Sequence, residues 1–238
     1  MQTKTSKKGV NAARKATLLI FLVCGIGLSS WAPMVPIVKT KLTLNDAELG
    51  LVLLSMGVGA IITMPFISIF INNYGSRKIV CFAATIIAFI LPLLILANSP
   101  IFLAVGLFIF GSALGTIDVS MNSQAVVVQQ LYGKHIMSSF HGLFSTGGLV
   151  GSIGIGVLIK YGLSPILAAI CISVLIIAIT FSQFSKLLPH EAEGKTEDFK
   201  LSFPKKPVLI LGIMCFILFL SEGALLDWSA VFLQSERG

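Results

Sequence analysis

An all-α fold, a polytopic membrane bundle of seven helices, is predicted by three observations. Of the 238 residues, 55% are hydrophobic and only 11% are charged, less than half the roughly 25% charge of an average soluble domain. The apolar residues fall into seven long runs separated by polar breaks, and the basic residues are distributed unevenly across those breaks. A soluble globule of this composition would have too few charges to cover its surface. That excludes a soluble enzyme, a disordered chain and a nucleic-acid partner. The mean hydropathy of +0.96 agrees, and the net charge of +7 reads as topology information.

At roughly 20 apolar residues per crossing, the length allows about seven to nine spans. The runs define seven, at 16–38, 49–71, 79–98, 101–128, 137–159, 163–184 and 207–233. The basic start, MQTKTSKKGV, superficially resembles a signal peptide. The run that follows is too long for a signal core and ends in no convincing small-residue cleavage site, so it is kept as span one. Counting Lys and Arg by side gives 13 with the N-terminus and four (Lys39, Lys41, Lys160 and Arg237) opposite. That bias predicts a cytoplasmic N-terminus and an external Gly238, in a multi-pass protein of the cell (inner) membrane.

Span six and span seven are joined by a long stretch in which five Lys alternate with Glu191, Glu193, Glu197 and Asp198. This predicts a six-helix unit at 1–184, a cytoplasmic linker at 185–206 and the first helix of an incomplete second bundle at 207–238. Six spans followed by a long linker are expected of one half of a two-half transporter, whose halves often hold two three-span repeats. A weak echo fits. Span two reads Ser55-x-Gly57 and closes at Tyr74-Gly75; span five reads Ser145-x-Gly147 and closes at Tyr161-Gly162.

Ionisable groups inside a bilayer are costly and mark function. Asp118 in span four is the clearest, and Asn122, four residues on, shares its helix face. Gly111, Gly115 and Gln129 lie near that stripe, leaving Leu107, Ile109 and Val127 for lipid. A carboxylate there can carry a proton or bind a polar substrate; the plainer alternative is a structural carboxyl bonded to a neighbouring helix. In span five His141, Ser145, Gly148, Ser152 and Gly156 form one stripe, joined by Gly142, Gly147, Gly151 and Gly154. Small residues there serve close helix approach. The His141 imidazole, with a free pKa of about 6.5, suits a proton relay, or else bonds a facing helix. Span seven carries Glu222 near its middle and Asp227 nearer its outer end. Being five residues apart, about 140° around a helix, they are not expected to face one point; Glu222 is the better candidate.

Pro33 and Pro36 predict a bent or loosened span one, and Pro92 the same in span three. Cys24, Cys81, Cys171 and Cys215 lie singly inside apolar runs and read as packing residues, with no disulfide framework and no metal site. No Lys or Arg stands near the middle of a span, which favours a neutral polar or cationic substrate. No P-loop, H-E-x-x-H or G-x-S-x-G appears in a credible context, so neither enzyme activity, catalytic residues nor a cofactor is expected.

The loop between spans two and three, from Ser68 through Asn72, Asn73, Tyr74, Gly75, Ser76 and Arg77 to Lys78, resembles the signature loop of the major facilitator superfamily, G-x-x-x-D-R-x-G-R-R/K. Gly75 and Arg77 match and Lys78 extends the basic end, while Ser68, Asn72, Asn73 and Ser76 depart. With that Asp and Arg replaced, the loop's usual charge-relay contact is not expected. GTIDVSMNSQ in span four resembles the fucose-permease-like branch, in which an acid followed four positions later by Asn is implicated in proton coupling; Asp118 and Asn122 occupy those places. MSSFHGLFSTGGLVG and EGALLDWSAVFL are similar to bacterial inner-membrane members of the YbjJ group. An acid expected in span one has no counterpart, since Ser29, Ser30, Trp31 and Ala32 stand there, so sugar specificity does not carry over.

The resemblance implies twelve spans in two bundles, with a solute cavity between them and alternating access. The chain would then be a C-terminally truncated copy, its partners a small solute, protons, lipid and the missing bundle. Two other readings compete. A seven-helix receptor fits the span count, but a retinal protein needs a mid-span Lys in its last helix, and the long linker is atypical. A non-transporting fragment or scaffold fits the truncation.

Overall fold

The computed structural model describes residues 7–192 and 205–237. The described residues form helices and turns with no strand, and seven helical stretches are long and apolar enough to cross a membrane. Linker residues 193–204 lie outside the described residues, as do 1–6 and Gly238. The helices are α1 (Lys7–Ser29), α2 (Val35–Lys41), α3 (Asp46–Tyr74), α4 (Ser76–Leu96), α5 (Pro100–Tyr132), α6 (Met137–Lys160), α7 (Pro165–Gln183) and α8 (Lys206–Arg237).

Several helices outrun the spans drawn from hydropathy. α1 begins nine residues before Ala16, and α5 runs on to Tyr132. Hydropathy marks the stretch that suits hydrocarbon, while backbone hydrogen bonding continues through good helix formers beyond it. Helix starts follow local chemistry. Ser99 and Ser164 accept from the N–H groups of Phe102 (3.2 Å) and Leu167 (3.4 Å), each just before a proline in the first turn. Asn45 and Glu48 form a reciprocal capping box on α3.

The expected disruption of span one is a full break. α1 stops at Ser29, a 3-10 turn covers Ala32–Met34, and α2 resumes at Val35. Pro33 and Pro36 have no N–H to give to the carbonyls of Ser29 and Ala32, so the α ladder cannot pass. The Ser30 hydroxyl donates to the Ile26 carbonyl at 2.6 Å, and Trp31 is fully buried against the break. Lys41 Nζ, at 2.9 Å from the Ile95 carbonyl, ties α2 to the end of α4. Pro92, by contrast, leaves α4 continuous, as Pro65 leaves α3.

The core sits around α1, α4 and α5, where Phe21, Ile87, Leu91, Leu103 and Phe110 are buried. Leu107, expected on the lipid side, is among them, completely buried. Ile109 is exposed, and Val127 is partly buried against the core. At the basic end, Arg14 on α1 donates to the Tyr132 hydroxyl of α5 at 3.2 Å. Leu51, Ile61, Phe82, Phe89, Leu149 and Val174 point outward, exposed, the kind of apolar belt that lipid covers. Among the described residues Lys39 and Asp46 form an ion pair at 2.5 Å, on the side opposite Arg14.

The internal repeat is present, carried by glycines other than most of those in the echo. α3 packs most extensively on α5, and α1 on α6. At the first contact Gly59 abuts the Phe108 carbonyl and Gly111 the Met56 carbonyl; at the second Gly147 abuts the Leu22 carbonyl and Gly25 the Phe144 carbonyl. The spacing from Leu22 to Gly25 therefore recurs from Phe108 to Gly111, and that from Met56 to Gly59 recurs from Phe144 to Gly147. A Cβ on any of the four glycines would overlap the carbonyl it faces, so only glycine permits this backbone approach. Gly147 alone belongs to the echo's Ser-x-Gly pairs; Gly57 meets nothing within 4 Å. The two Tyr-Gly closures do correspond, with Gly75 at φ +81° and Gly162 at φ +92°.

Candidate functional site

Asp118 sits half-buried on α5, six residues before the buried Gln124. The Asn122 amide, one turn on, donates to the Asp118 backbone carbonyl at 2.9 Å and to its carboxylate at 3.2 Å. That double contact follows from helix geometry, since residue i+4 lies over residue i. It turns the carboxylate into a fixed acceptor beside a second polar group. His141 on α6 and Cys24 on α1 both stand within electrostatic range of Asp118. The His141 ring packs edge-on to Phe21 of α1, with centroids 5.4 Å apart, and Phe21 also stacks on Phe140. Asp118 and Asn122 are thus joined on α5, and His141, exposed on α6, stands near enough for its charge to act on the carboxylate. Phe21 orients the imidazole; nothing in its apolar run singles it out beforehand.

The two glycine-rich stripes divide by role. Gly111 and Gly115 face α3 at Met56 and Ala60, while Gly147 and Gly151 face α1 at Leu22 and Ile26. These are packing residues. Ser145, one turn beyond His141, is exposed, as are Gly142 and Gly156. Gln129, grouped with the Asp118 stripe by helical position, does something else. Its carbonyl oxygen accepts from the N–H groups of Ile136 at 2.8 Å and Met137 at 3.1 Å, so it caps the start of α6 and takes no part in the site.

A second constellation forms under α8. Leu28, Met56 and Phe144 face Phe219, Glu222 and Asp227 across a crevice of about 130 Å3. Glu222 and Asp227 therefore share one crevice, contrary to the expectation from their angular separation. A groove that runs along a helix is wide enough to be reached from both sides of its face. Asp227 is the more enclosed of the two: it is half-buried, with a buried oxygen that has no hydrogen-bond partner, whereas Glu222 is exposed.

The signature-loop residues serve a different purpose. Gly75 joins α3 to α4 at positive φ, and a Cβ there would come within 2.7 Å of His190 Cβ, so both dihedral and space require glycine. The Arg77 guanidinium lies over the Phe184 ring, 4.2 Å from its centroid, and Lys78 is exposed. Gln124 completes the contact. Its amide donates to the Ser76 hydroxyl at 2.6 Å and accepts from the Leu188 N–H at 2.7 Å. The loop is thus clasped to the chain just after α7 through an aromatic ring and a buried amide. Gln124 was visible only as a polar residue within the GTIDVSMNSQ segment; its partner lies 64 residues on, beyond the reach of local pattern.

Residues 17–238 match the family model described as Major Facilitator Superfamily. The chain is 41% identical, over its whole length, to an uncharacterised MFS-type transporter of Yersinia pestis, of which it spans 62%. It is 31% identical over 92% of its length to an uncharacterised transporter of Sinorhizobium fredii, spanning 58% of that protein. It is 30% identical over 94% of its length to the membrane protein MosC of Rhizobium meliloti, spanning 55%. The chain therefore spans a little over half the length of these curated relatives. With a family match over nearly every residue from α1 to α8, this multi-pass membrane chain belongs to the Major Facilitator Superfamily.

Proposed function

We propose that this chain is part of a secondary active transporter that moves a small polar solute by alternating access, coupled to protons through Asp118. The observation that carries the reading is the half-buried Asp118 carboxylate, held by the Asn122 amide, with His141 of α6 near enough for its charge to act on it. A carboxyl between helices that must separate and close can take a proton in one arrangement and release it in the other. The imidazole is a second group able to exchange that proton. Glu222 and Asp227 add negative charge to the crevice under α8, which favours a neutral polar or cationic solute. The remainder of the length found in the relatives would supply the other wall of the cavity.

The deciding experiment uses a protein of the relatives' length that carries this chain, reconstituted in proteoliposomes under an imposed proton gradient. Asp118→Asn keeps the shape and one acceptor but removes the titratable proton. Gradient-driven accumulation is expected to fall to background, with normal insertion and with solute exchange retained. Unchanged accumulation with unchanged pH dependence would return Asp118 to a structural role and make His141 or Glu222 the next proton carrier to test.

The same reading sets the N-terminus in the cytoplasm of a cell whose inner membrane holds the protein. In a version without native cysteines, Asn73→Cys, within the signature-like loop and exposed, should react with impermeant thiol reagent only in inverted vesicles. Labelling from the outside of intact cells would reverse the orientation.

A further inference from the structure

A basic pocket at the N-terminal end of α1 belongs to neither constellation. It has a volume of about 420 Å3 and is lined by Lys8, Asn11, Lys15 and Leu19 of α1 together with Gln183 at the end of α7 and Lys186 in the 3-10 turn that follows it. The α1 residues recur at spacings of three and four, so they form one face of the helix. Gln183, itself buried, accepts from Lys186 Nζ at 3.4 Å and so steers the third ammonium towards the same opening. No carboxylate is among the described residues that line the pocket. Three like charges around one opening repel each other, and an anion seated between them turns that repulsion into attraction.

The depth of the pocket says which kind of anion. Lys8, Asn11 and Lys15 precede the apolar run that starts at Ala16, whereas Leu19 lies inside it. The pocket therefore spans the level at which headgroups give way to acyl chains. A free phosphate would satisfy the ammonium groups and leave the apolar wall wet. A phosphate carrying acyl chains satisfies both. We propose that this pocket is a binding site for the phosphate headgroup of an anionic phospholipid, with Lys8, Lys15 and Lys186 as phosphate ligands and Leu19 against the start of an acyl chain. The proposal does not depend on transport.

The test uses the purified full chain in a neutral detergent. Phosphatidylglycerol, phosphatidylcholine or inorganic phosphate is added, and bound lipid is read by native mass spectrometry alongside the melting temperature. Phosphatidylglycerol is expected to stay bound and raise the melting temperature, and phosphatidylcholine and inorganic phosphate to do neither. Each Lys→Gln change in the pocket should weaken retention by about fivefold, and Lys8→Gln, Lys15→Gln and Lys186→Gln together should abolish it. Lys134→Gln with Lys205→Gln, basic but outside the pocket, should change nothing. If the triple variant fails to fold, Lys15→Gln alone carries the comparison. Wild-type retention by the pocket variants, equal retention of phosphatidylcholine, or equal stabilisation by inorganic phosphate would each overturn the proposal. So would phosphatidylglycerol binding that appears only after Glu193, Glu197 and Asp198 are neutralised, because the occupant would then be the chain's own acidic segment.

Discussion

The contact of α1 with α6 and that of α3 with α5 are built alike and used differently. Each brings two helices to backbone contact through a reciprocal pair of glycines facing carbonyls, Gly25 with Gly147 and Gly59 with Gly111. Seven residues after Gly111 stands Asp118; seven residues after Gly25 stands Ala32, buried in the 3-10 turn. Asn122, four residues beyond Asp118, has Pro36 as its counterpart, in the first turn of α2 just past the break, where no amide side chain stands. The packing was kept in both halves, whereas the ionisable chemistry stands in one. The other half holds a break that lets its helix change direction. In this bundle close helix packing and chemistry are separable, and substitutions can separate them.

The largest expected effect comes from the shared part. Gly111→Ala sets a Cβ against the Met56 carbonyl, and Gly147→Ala sets one against the Leu22 carbonyl. Neither neighbour is a side-chain tip that can swing aside, so the helices must part. A loss of ~3 kcal/mol or more is expected at each site, read as a sharp drop in folded protein by size-exclusion chromatography in detergent. Gly142→Ala and Gly156→Ala, where an added Cβ meets nothing within 4 Å, should leave the yield unchanged. Equal tolerance at all four positions would remove glycine approach as the basis of the repeat. Asp118→Asn belongs to the unshared part and should spare the fold while removing proton-driven accumulation.

The limits of the sequence follow the same division. Span number and approximate position were legible because membrane-crossing stretches need long apolar runs, and the break in span one because proline cannot give the required N–H. Asp118, Asn122 and His141 were legible as polar groups in an expensive place. Leu107 was misassigned to lipid for a physical reason: in a membrane helix the core side and the lipid side are both apolar, so hydropathy does not tell them apart. Gln129 was assigned to the Asp118 stripe because its helical position is right; that α5 outruns its apolar window and caps the next helix is a property of three-dimensional placement. The shared crevice of Glu222 and Asp227 depends on groove width, which a helical wheel does not contain.

Gln129 and Asn45 offer a finer comparison, since both start a helix that takes part in a glycine contact. α6 has Ile136 at its cap position, with no side-chain acceptor of its own, and two N–H groups rely on the Gln129 carbonyl reaching over from α5. Gln129→Ala leaves both without that acceptor in a half-buried place and also releases the α5–α6 turn. About 1–2 kcal/mol of stability is expected to be lost, read as a lower melting temperature in detergent with the α3 end unaffected.

α3 carries its cap locally. Asn45 accepts from the Glu48 N–H at 2.9 Å, and Glu48 accepts from the Asn45 N–H at 2.9 Å. Both residues are exposed, so water can replace much of what Asn45→Ala removes, and the substitution releases no second helix. The expected cost is at the low end for a cap, about 0.5–1 kcal/mol. Hydrogen exchange separates the two cases. Asn45→Ala should speed exchange only at the first-turn amides of α3, whereas Gln129→Ala should speed it at the start of α6 and through the end of α5. If Asn45→Ala instead costs as much as Gln129→Ala, the start of α3 is held by more than its own capping box, and local and borrowed caps are not energetically distinct in this bundle.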